Sequence, residues 1–115
     1  MENAAAKNRV LIVDDDVVFN NLLTEVFEQA DYEVSPSLDP REALQIFDSS
    51  EFSLVVTDQD MPNMTGAEFF RLVREKTEDV PVIMVSGYLD SDTTAVMAAD
   101  AIGAVFLSRW ILSRC

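Results

Sequence analysis

The sequence lacks histidine altogether and has one cysteine, Cys115, which is its last residue. These two absences exclude zinc sites, metalloprotease centres and Ser-His-Asp hydrolase triads, all of which need imidazole or several thiolates. A single cysteine also excludes a disulfide scaffold, so a reducing and therefore cytoplasmic location is the expectation. With only three glycines and four prolines among 115 residues, no segment has low complexity.

Long hydrophobic runs and positive charge are scarce as well. The longest weakly polar stretch, residues 95–107, is interrupted by Asp100 and is too short to span a membrane. Residues 1–8 lack the apolar core of a signal peptide and are expected to form a flexible lead to one domain over residues 9–115. Eight basic residues face 21 acidic ones, which gives a net charge of −13. Such a chain repels nucleic acid and anionic lipid, so neither nucleic acid nor a membrane is expected as a direct partner.

Short apolar runs alternate with segments of helical spacing. The strand candidates are 9–13, 32–35, 52–57, 80–85 and 104–107, and the helix candidates are 17–30, a segment that begins at 39–40, 67–76 and a segment from 90 or 91 to 102. Strands that alternate with helices predict βαβ units, which wind into an α/β, doubly wound parallel sheet with helices on both faces.

Two of the helices carry additional signals. Asp39, Pro40 and Glu42 have the order of an N-cap, a first-turn proline and a capping-box glutamate, which predicts a helix start. In the first helix, apolar residues recur at helical spacing and predict one packed side. The residues predicted for that side are Val18, Leu22, Val26, Phe19, Leu23 and Phe27.

Polar residues follow four of the predicted strands. They are Asp14, Asp15 and Asp16 after the first strand, Asp58 and Asp60 after the third, Ser86 after the fourth and Arg109 after the fifth. Ligands of open α/β sheets bind outside the carboxyl ends of the strands, so these residues are expected to share one crevice. Taken singly, each has a structural explanation; Asp16, for example, has the position of a helix N-cap.

As a group, these residues indicate a phosphoryl-transfer site. Carboxylates a few ångströms apart repel one another, and hard oxygen ligands with open positions suit Mg²⁺. Ser86 can donate a hydrogen bond to a phosphoryl oxygen, and Arg109 can neutralise the charge of the phosphoryl group. A carboxylate nucleophile, a metal ion, a hydroxyl and a cation are the parts that such chemistry uses.

From Val10 to Trp110 the chain is similar to the receiver domains of two-component signalling. Four segments carry the resemblance: LIVDDD at 11–16, VVTDQDMPNMTG at 55–66, PVIMVS at 81–86 and GAVFLSR at 103–109. The second is the most specific, because the phosphoacceptor loop of that family typically has the pattern Asp-x-x-Met-Pro-x-x-x-Gly. The resemblance implies a flavodoxin-like sheet of five parallel strands in the order 2-1-3-4-5.

The resemblance also implies roles for the acidic residues. Asp58 would be the phosphoacceptor and would take its phosphoryl group from a phosphohistidine of a sensor histidine kinase or a phosphotransfer protein. Asp15 would bind Mg²⁺ directly, Asp14 through water, and Asp60 through its backbone carbonyl, beside Asp58 itself. No enzymatic activity is expected beyond Mg²⁺-dependent self-phosphorylation and slow self-dephosphorylation.

The resemblance further implies a switch near the fifth strand. Ser86 would supply the switch hydroxyl, and Phe106 would be the aromatic switch. A downstream protein would bind the surface formed by the fourth helix and the fifth strand. The same surface is a possible homodimer contact. Two departures from the family stand out: Arg109 and Trp110 replace its usual lysine and proline, and an arginine fork reaches differently from a lysine. The sequence ends at Cys115, where the family's last helix begins, so that helix is expected to be truncated or absent.

Two alternatives to a phosphorylated receiver stay open. A degenerate receiver would bind a protein partner without phosphorylation; Arg109 favours this function, whereas the aspartates and Ser86 oppose it. A haloacid-dehalogenase-like phosphatase would use Asp58 and Asp60 as its aspartate pair. Those enzymes carry that pair after their first strand and need a catalytic lysine, whereas here the pair follows the third predicted strand and no lysine follows a strand.

Overall fold

The structure is a computed structural model that describes residues 8–86 and 104–108, with the backbone alone at residue 86 and residues 104–108. Its elements are β1 (Arg9–Val13), α1 (Val17–Gln29), β2 (Glu33–Ser37), α2 (Pro40–Ser49), β3 (Leu54–Asp58), α3 (Gly66–Lys76), β4 (Val82–Ser86) and β5 (Ala104–Ser108). The predicted N-terminal lead up to residue 7, the predicted fourth helix and the segment after β5 lie outside the described residues.

The five strands form one parallel sheet in the order β2-β1-β3-β4-β5. The α/β class and the doubly wound order predicted from the sequence are therefore confirmed. β1 and β3 are adjacent and in register, with Val13 opposite Thr57, and Asp58 at the end of β3 lies opposite Val85 of β4. This register brings the carboxyl ends of β1, β3 and β4 side by side.

Helices cover both faces of the sheet. Successive residues of a strand point to opposite faces, so Leu11 and Val55 pack with α2 and α3, whereas Ile12 and Val56 pack with α1. Full burial of one such side chain stabilises the fold by about 1.5–3 kcal/mol. The central strands are buried on both faces, and this packing fixes the positions of the residues at their carboxyl ends.

The described helices begin at the predicted first residues or within one residue of them. Asp16 precedes α1 and accepts the Phe19 N–H at 3.2 Å, which confirms it as an N-cap. Asp39 accepts the Arg41 N–H at 2.9 Å, and Pro40 opens α2 as predicted. Among the described residues, no helix combines the length and the apolar character that a membrane span requires.

The predicted packed side of α1 was wrong in part. Phe19 and Leu23 are buried against the sheet, but Val18 is 79% exposed and Val26 is 43% exposed. One sheet face covers only a narrow stripe of a helix, and Val18 is rotated by about 100° from Phe19 around the helix axis. The buried stripe instead includes the polar residue Asn20.

Three strands have boundaries that differ from the prediction by two residues, and one of them is β4, which begins at Val82 instead of residue 80. β2 extends to Ser37 across Pro36, because β2 lies at the edge of the sheet, where a residue without an N–H group is tolerated. β3 begins at Leu54, two residues later than predicted. Phe52 precedes the strand and its ring stacks on Phe47, with the ring centroids 5.9 Å apart.

Candidate functional site

Three carboxylates converge at the carboxyl ends of β1 and β3. Asp14, Asp15 and Asp58 each offer an oxygen atom, and these oxygens all lie within 4.8 Å of one another. Asp14 and Asp58 are buried, with 1% and 2% of their surface exposed, whereas Asp15 is exposed. The fold therefore brings together three of the residues that were predicted to share one crevice.

The chemistry of this donor set fits a hard divalent cation. Two ionised carboxylates about 4 to 5 Å apart repel by roughly 3–4 kcal/mol at an effective dielectric constant of 20. Because Asp14 and Asp58 are buried, water does not screen them as it screens an ordinary acidic surface. Carboxylate oxygens with one side open to solvent are the ligands that Mg²⁺ takes in proteins, where it keeps several of its own waters.

Hydrogen bonds of the backbone fix Asp14 at the end of β1. Its N–H donates to the Ser37 carbonyl of β2 at 3.1 Å, and its carboxylate accepts the Asp16 N–H at 2.9 Å. The second bond turns the chain from β1 into α1 and holds the Asp14 side chain in the turn. The Asp14 carboxylate is thus restrained both through its main chain and directly.

Asn20 adds a buried contact that the sequence interpretation missed. From the buried stripe of α1, its side-chain nitrogen donates to the Asp14 carbonyl at 3.0 Å and to the Ser37 carbonyl at 2.9 Å. The available signal was a polar residue between Phe19 and Leu23, on the side of the helix that packs. Such a residue is expected to have hydrogen-bond partners, because a buried polar group without them is costly.

The loop after Asp58 is tied to the first turn of α3. The Gln59 carbonyl accepts the Gly66 N–H at 3.0 Å, and the Gln59 side-chain oxygen accepts the Ala67 N–H at 2.9 Å. Gly66 lies so close to β3 that an added Cβ atom would be 2.3 Å from the Asp58 carbonyl oxygen. Only glycine fits there without a shift of the backbone that carries Asp58.

A capping box starts α3 one residue before the predicted boundary. The Thr65 hydroxyl accepts the Glu68 N–H at 3.1 Å, and the Glu68 carboxylate accepts the Thr65 N–H at 2.9 Å. The hydrogen bond from the Thr65 backbone has the largest effect and lowers the pKa of Glu68 below its ordinary value. The hydrogen bond from the Thr65 hydroxyl and the charge of Arg71 act in the same direction. The charged form of Glu68 therefore holds the end of the loop.

The remaining residues predicted for the site lie around this cluster or outside the described chain. Asp60 is exposed in the loop and does not belong to the three-carboxylate group. Ser86 ends β4, one position beyond the partner of Asp58, so its backbone lies at the same edge of the sheet. Phe106 lies on β5 opposite Met84. Arg109 lies outside the described residues.

Comparison with known proteins agrees with this geometry. Residues 10–108 match the family model described as the response regulator receiver domain. The chain belongs to that family. Receiver domains are in general signalling modules rather than enzymes, and they interact with sensor kinases and with downstream proteins.

Similarity to a transcriptional regulatory protein supports the assignment to the receiver-domain family. The receiver domain is 32% identical to the alkaline phosphatase synthesis transcriptional regulatory protein SphR of Synechococcus elongatus, over 97% of this chain and 49% of that protein. It therefore spans about half the length of that relative.

Solved structures have the same architecture. The chemotaxis protein CheY4 of Vibrio cholerae has a TM-score of 0.82 at 28% identity, with 90% of this chain and 88% of that chain covered. The response regulator TrrA of Thermotoga maritima, solved in complex with Mg²⁺-BeF, has a TM-score of 0.77 at 28% identity, with 89% and 86% covered.

Proposed function

We propose that this receiver domain accepts a phosphoryl group onto Asp58 from a histidine kinase or a phosphotransfer protein, with Mg²⁺, and passes the signal to a downstream protein. The observation that carries the proposal is the position of the buried Asp58 within 4.8 Å of Asp14 and Asp15. The Thermotoga maritima relative TrrA was solved in complex with Mg²⁺-BeF, which supports Mg²⁺ as the metal in this proposal.

The metal would be held by the carboxylates of Asp15 and Asp58, by the backbone carbonyl of Asp60, and by the Asp14 carboxylate through a water molecule. A Mg²⁺ ion held there would supply positive charge for the oxygens of the phosphoryl group. Asp14, fixed by its backbone and by the Asp16 N–H, would keep its place in the absence of the ion. The protein thus contributes a preformed acidic pocket, and little reorganisation is required when the ion binds.

The transfer step is a substitution at phosphorus. An oxygen of the Asp58 carboxylate attacks the phosphorus of the donor's phosphohistidine, the new O–P bond forms as the P–N bond breaks, and the imidazole nitrogen takes a proton. The product is an acyl phosphate on Asp58. Ser86 donates a hydrogen bond to the new phosphoryl group and Arg109 neutralises part of its charge.

The output of this reaction would be a change in surface. Ser86 would move toward the phosphoryl group and Phe106 would turn inward. The surface of β5 and of the helix predicted before it would then present a new face to the downstream protein or to a second copy of the chain. Phosphorylation must favour the active form by roughly a few kcal/mol for this population shift to matter. The charge of −13 favours basic protein surfaces over nucleic acid and anionic lipid as partners. A cytoplasmic location is part of the same proposal.

One observation favours a second function. Arg109 stands where the family has lysine, and the planar guanidinium reaches the phosphoryl group differently from a point charge. A receiver with this substitution can act as a binding module whose surface does not depend on phosphorylation. The phosphatase alternative loses support, because the aspartate pair follows the third strand of the sheet.

The test is the intact mass of the full chain after incubation with Mg²⁺ and a small phosphodonor such as acetyl phosphate. We expect one added phosphoryl group in the wild type and in Asp79→Asn, and none in Asp58→Asn. Asp79→Asn is the matched control, since it makes the same chemical change at an exposed position just before β4, at the other end of the sheet.

Each other outcome has a distinct meaning. Equal labelling of Asp58→Asn and wild type would refute the assignment of the phosphoacceptor. No labelling of the wild type, with Mg²⁺ binding shown separately, would favour the degenerate receiver. Steady turnover of a phosphomonoester would revive the phosphatase.

A further inference from the structure

Asn20 is an unusual residue to find on the packed side of α1. Its neighbours on that side are Phe19 and Leu23, and Asn20 is itself only 2% exposed. An amide group in such a place costs free energy unless its hydrogen-bonding atoms have partners. If residue 20 served only to pack α1 against the sheet, an apolar side chain would do so without needing hydrogen-bond partners.

The side chain of Asn20 contacts the carboxyl ends of two neighbouring strands. Its side-chain nitrogen donates to the carbonyl of Asp14, which follows β1, and to that of Ser37, which ends β2. The Ser37 carbonyl also accepts the Asp14 N–H. Asn20 thus joins three segments at one point: the turn after β1, the end of β2 and the body of α1.

This junction determines where the Asp14 main chain lies. The peptide carbonyl of Asp14 is held by Asn20, its N–H by Ser37, and its carboxylate by the Asp16 N–H at 2.9 Å. The first two contacts fix both ends of the residue, so the side chain can leave the backbone only in a narrow range of directions. In this position an oxygen of the Asp14 carboxylate lies within 4.8 Å of oxygens of Asp15 and Asp58.

We propose that Asn20 is a positioning residue of the metal site, which sets the Mg²⁺ affinity by holding the Asp14 main chain at the end of β1. The inference rests on the proposed function, because it takes the three carboxylates as the Mg²⁺ site. Residues behind the ligands of a metal commonly change its affinity 10- to 100-fold when they are replaced.

The experiment is a calorimetric titration of the full chain with MgCl₂, in wild type, Asn20→Ala and Asn20→Ser. We expect the Kd for Mg²⁺ to rise at least about 10-fold in Asn20→Ala. The serine variant keeps one donor and is expected to fall between the alanine variant and the wild type. Because serine leaves a smaller void than alanine, the serine variant can be compared with the wild type if the alanine variant does not fold.

A stability control separates positioning from folding. Val73→Ala removes a fully buried side chain from α3 on the other face of the sheet, so it destabilises the chain without touching the turn after β1. Under conditions in which the variant is folded, its Kd for Mg²⁺ is expected to stay within about twofold of the wild-type value. The Asp16 amide resonance, which reports the bond to the Asp14 carboxylate, is expected to shift in the Asn20 variants and to stay unchanged in Val73→Ala.

The outcomes that overturn the inference are distinct from those that overturn the proposed function. If the wild type binds Mg²⁺ and a folded Asn20 variant binds it equally well, the positioning role is wrong and the metal site stands. If neither Asn20 variant folds, Asn20 is a folding residue and the inference is also wrong. If the wild type itself shows no Mg²⁺ binding, the proposed function is wrong at its metal site.

Discussion

Gly66 lies where the start of α3 approaches the end of β3 too closely for a side chain. Beside the Asp58 carbonyl oxygen, a Cβ atom at this position would meet the Met84 sulfur at 2.8 Å and the Cα atom of Gln59 at 2.9 Å. Two of these three obstacles are backbone atoms, which cannot rotate away as the end of a flexible side chain can. The absence of a side chain at residue 66 therefore sets the distance between the loop and Asp58.

The first prediction follows from this contact. Gly66→Ala is expected to lower the free energy of unfolding by about 1–3 kcal/mol, the usual cost of overpacking, and to slow labelling of Asp58 by the phosphodonor because Asp58 is displaced. Urea unfolding and the time course of the intact mass measure the two effects. Ala67→Gly in the same helical turn is the control, with an expected cost of about 1 kcal/mol from helix propensity and an unchanged labelling rate. A Gly66→Ala protein as stable as the wild type would contradict the clash.

At the scale of single residues, the sequence predicts charged groups at strand ends better than it predicts what holds them. Asp14, Asp15 and Asp58 could be predicted together, because the ends of parallel strands meet at one edge. Asn20 could not, since its partners are backbone carbonyls of distant turns, and a carbonyl is present at every residue. The contact depends on where the chain places those carbonyls in space.

At the scale of the elements, the capping box of α3 makes stability depend on pH. The pKa of Glu68 is lower in the folded chain than in the unfolded chain, mainly through the hydrogen bonds from Thr65. A lowered pKa means that the folded state favours the charged carboxylate. This contribution is complete above the ordinary pKa of a glutamate and is lost as the pH falls through the lower, folded-state value.

The second prediction uses that pH window. In urea unfolding at a series of pH values below the ordinary pKa of glutamate, wild type is expected to lose more stability with falling pH than Glu68→Gln. Thr65→Ala is expected to cost about 1 kcal/mol at neutral pH, because it removes the N-cap hydroxyl. Parallel pH profiles for wild type and Glu68→Gln would show that the capping box does not carry the shift.

The elements themselves were predicted where local signals are strong. The caps at Asp16 and Asp39 were found because side-chain caps have a sequence signature. The extent of β2 was missed, since Pro36 normally ends a strand and only its place at the sheet edge makes it acceptable. The exposure of Val18 was missed for a related reason: the width of the covering sheet face decides which part of an apolar stripe is buried.

At the scale of the whole molecule, a net charge of −13 and a buried acidic cluster act in the same direction. Both make the folded chain repel itself, and both are relieved by a bound divalent cation. Simple screening by salt relieves only the long-range part, because buried charges are screened much less than exposed ones. A specific ion and a monovalent salt should therefore have different effects.

The third prediction is that Mg²⁺ raises the Tm. At a concentration ten times its Kd, binding stabilises the folded chain by about 1.4 kcal/mol, which corresponds to a rise of roughly 5 °C for a domain of this size. Differential scanning calorimetry with MgCl₂, against NaCl of equal ionic strength, measures the specific part. Asp15→Ala removes an exposed ligand without creating a cavity, and it is expected to lose most of the Mg²⁺-specific rise. A rise of equal size in NaCl would count against the site.

The order of the strands was the most predictable feature of the molecule, because alternating strands and helices with right-handed connections leave few arrangements. The family resemblance narrowed these to one, and the sheet order confirms it. The segments that would carry the switch, around Arg109 and before β5, were predicted from the resemblance alone, and their interactions depend on packing that local sequence does not encode.

Parallel pairing also has a kinetic consequence. The backbone N–H of Arg9, at the start of β1, donates to the Ser53 hydroxyl, just before β3, and these residues are 44 positions apart in the sequence. Asp14 and Asp58 have the same separation, so no early, locally folded segment of the chain can contain the cluster. Contacts of such range form slowly, because a long loop must close before they bring any gain. Refolding would therefore create the acidic pocket late, and the moment at which the chain first captures an ion would mark the docking of β1 against β3.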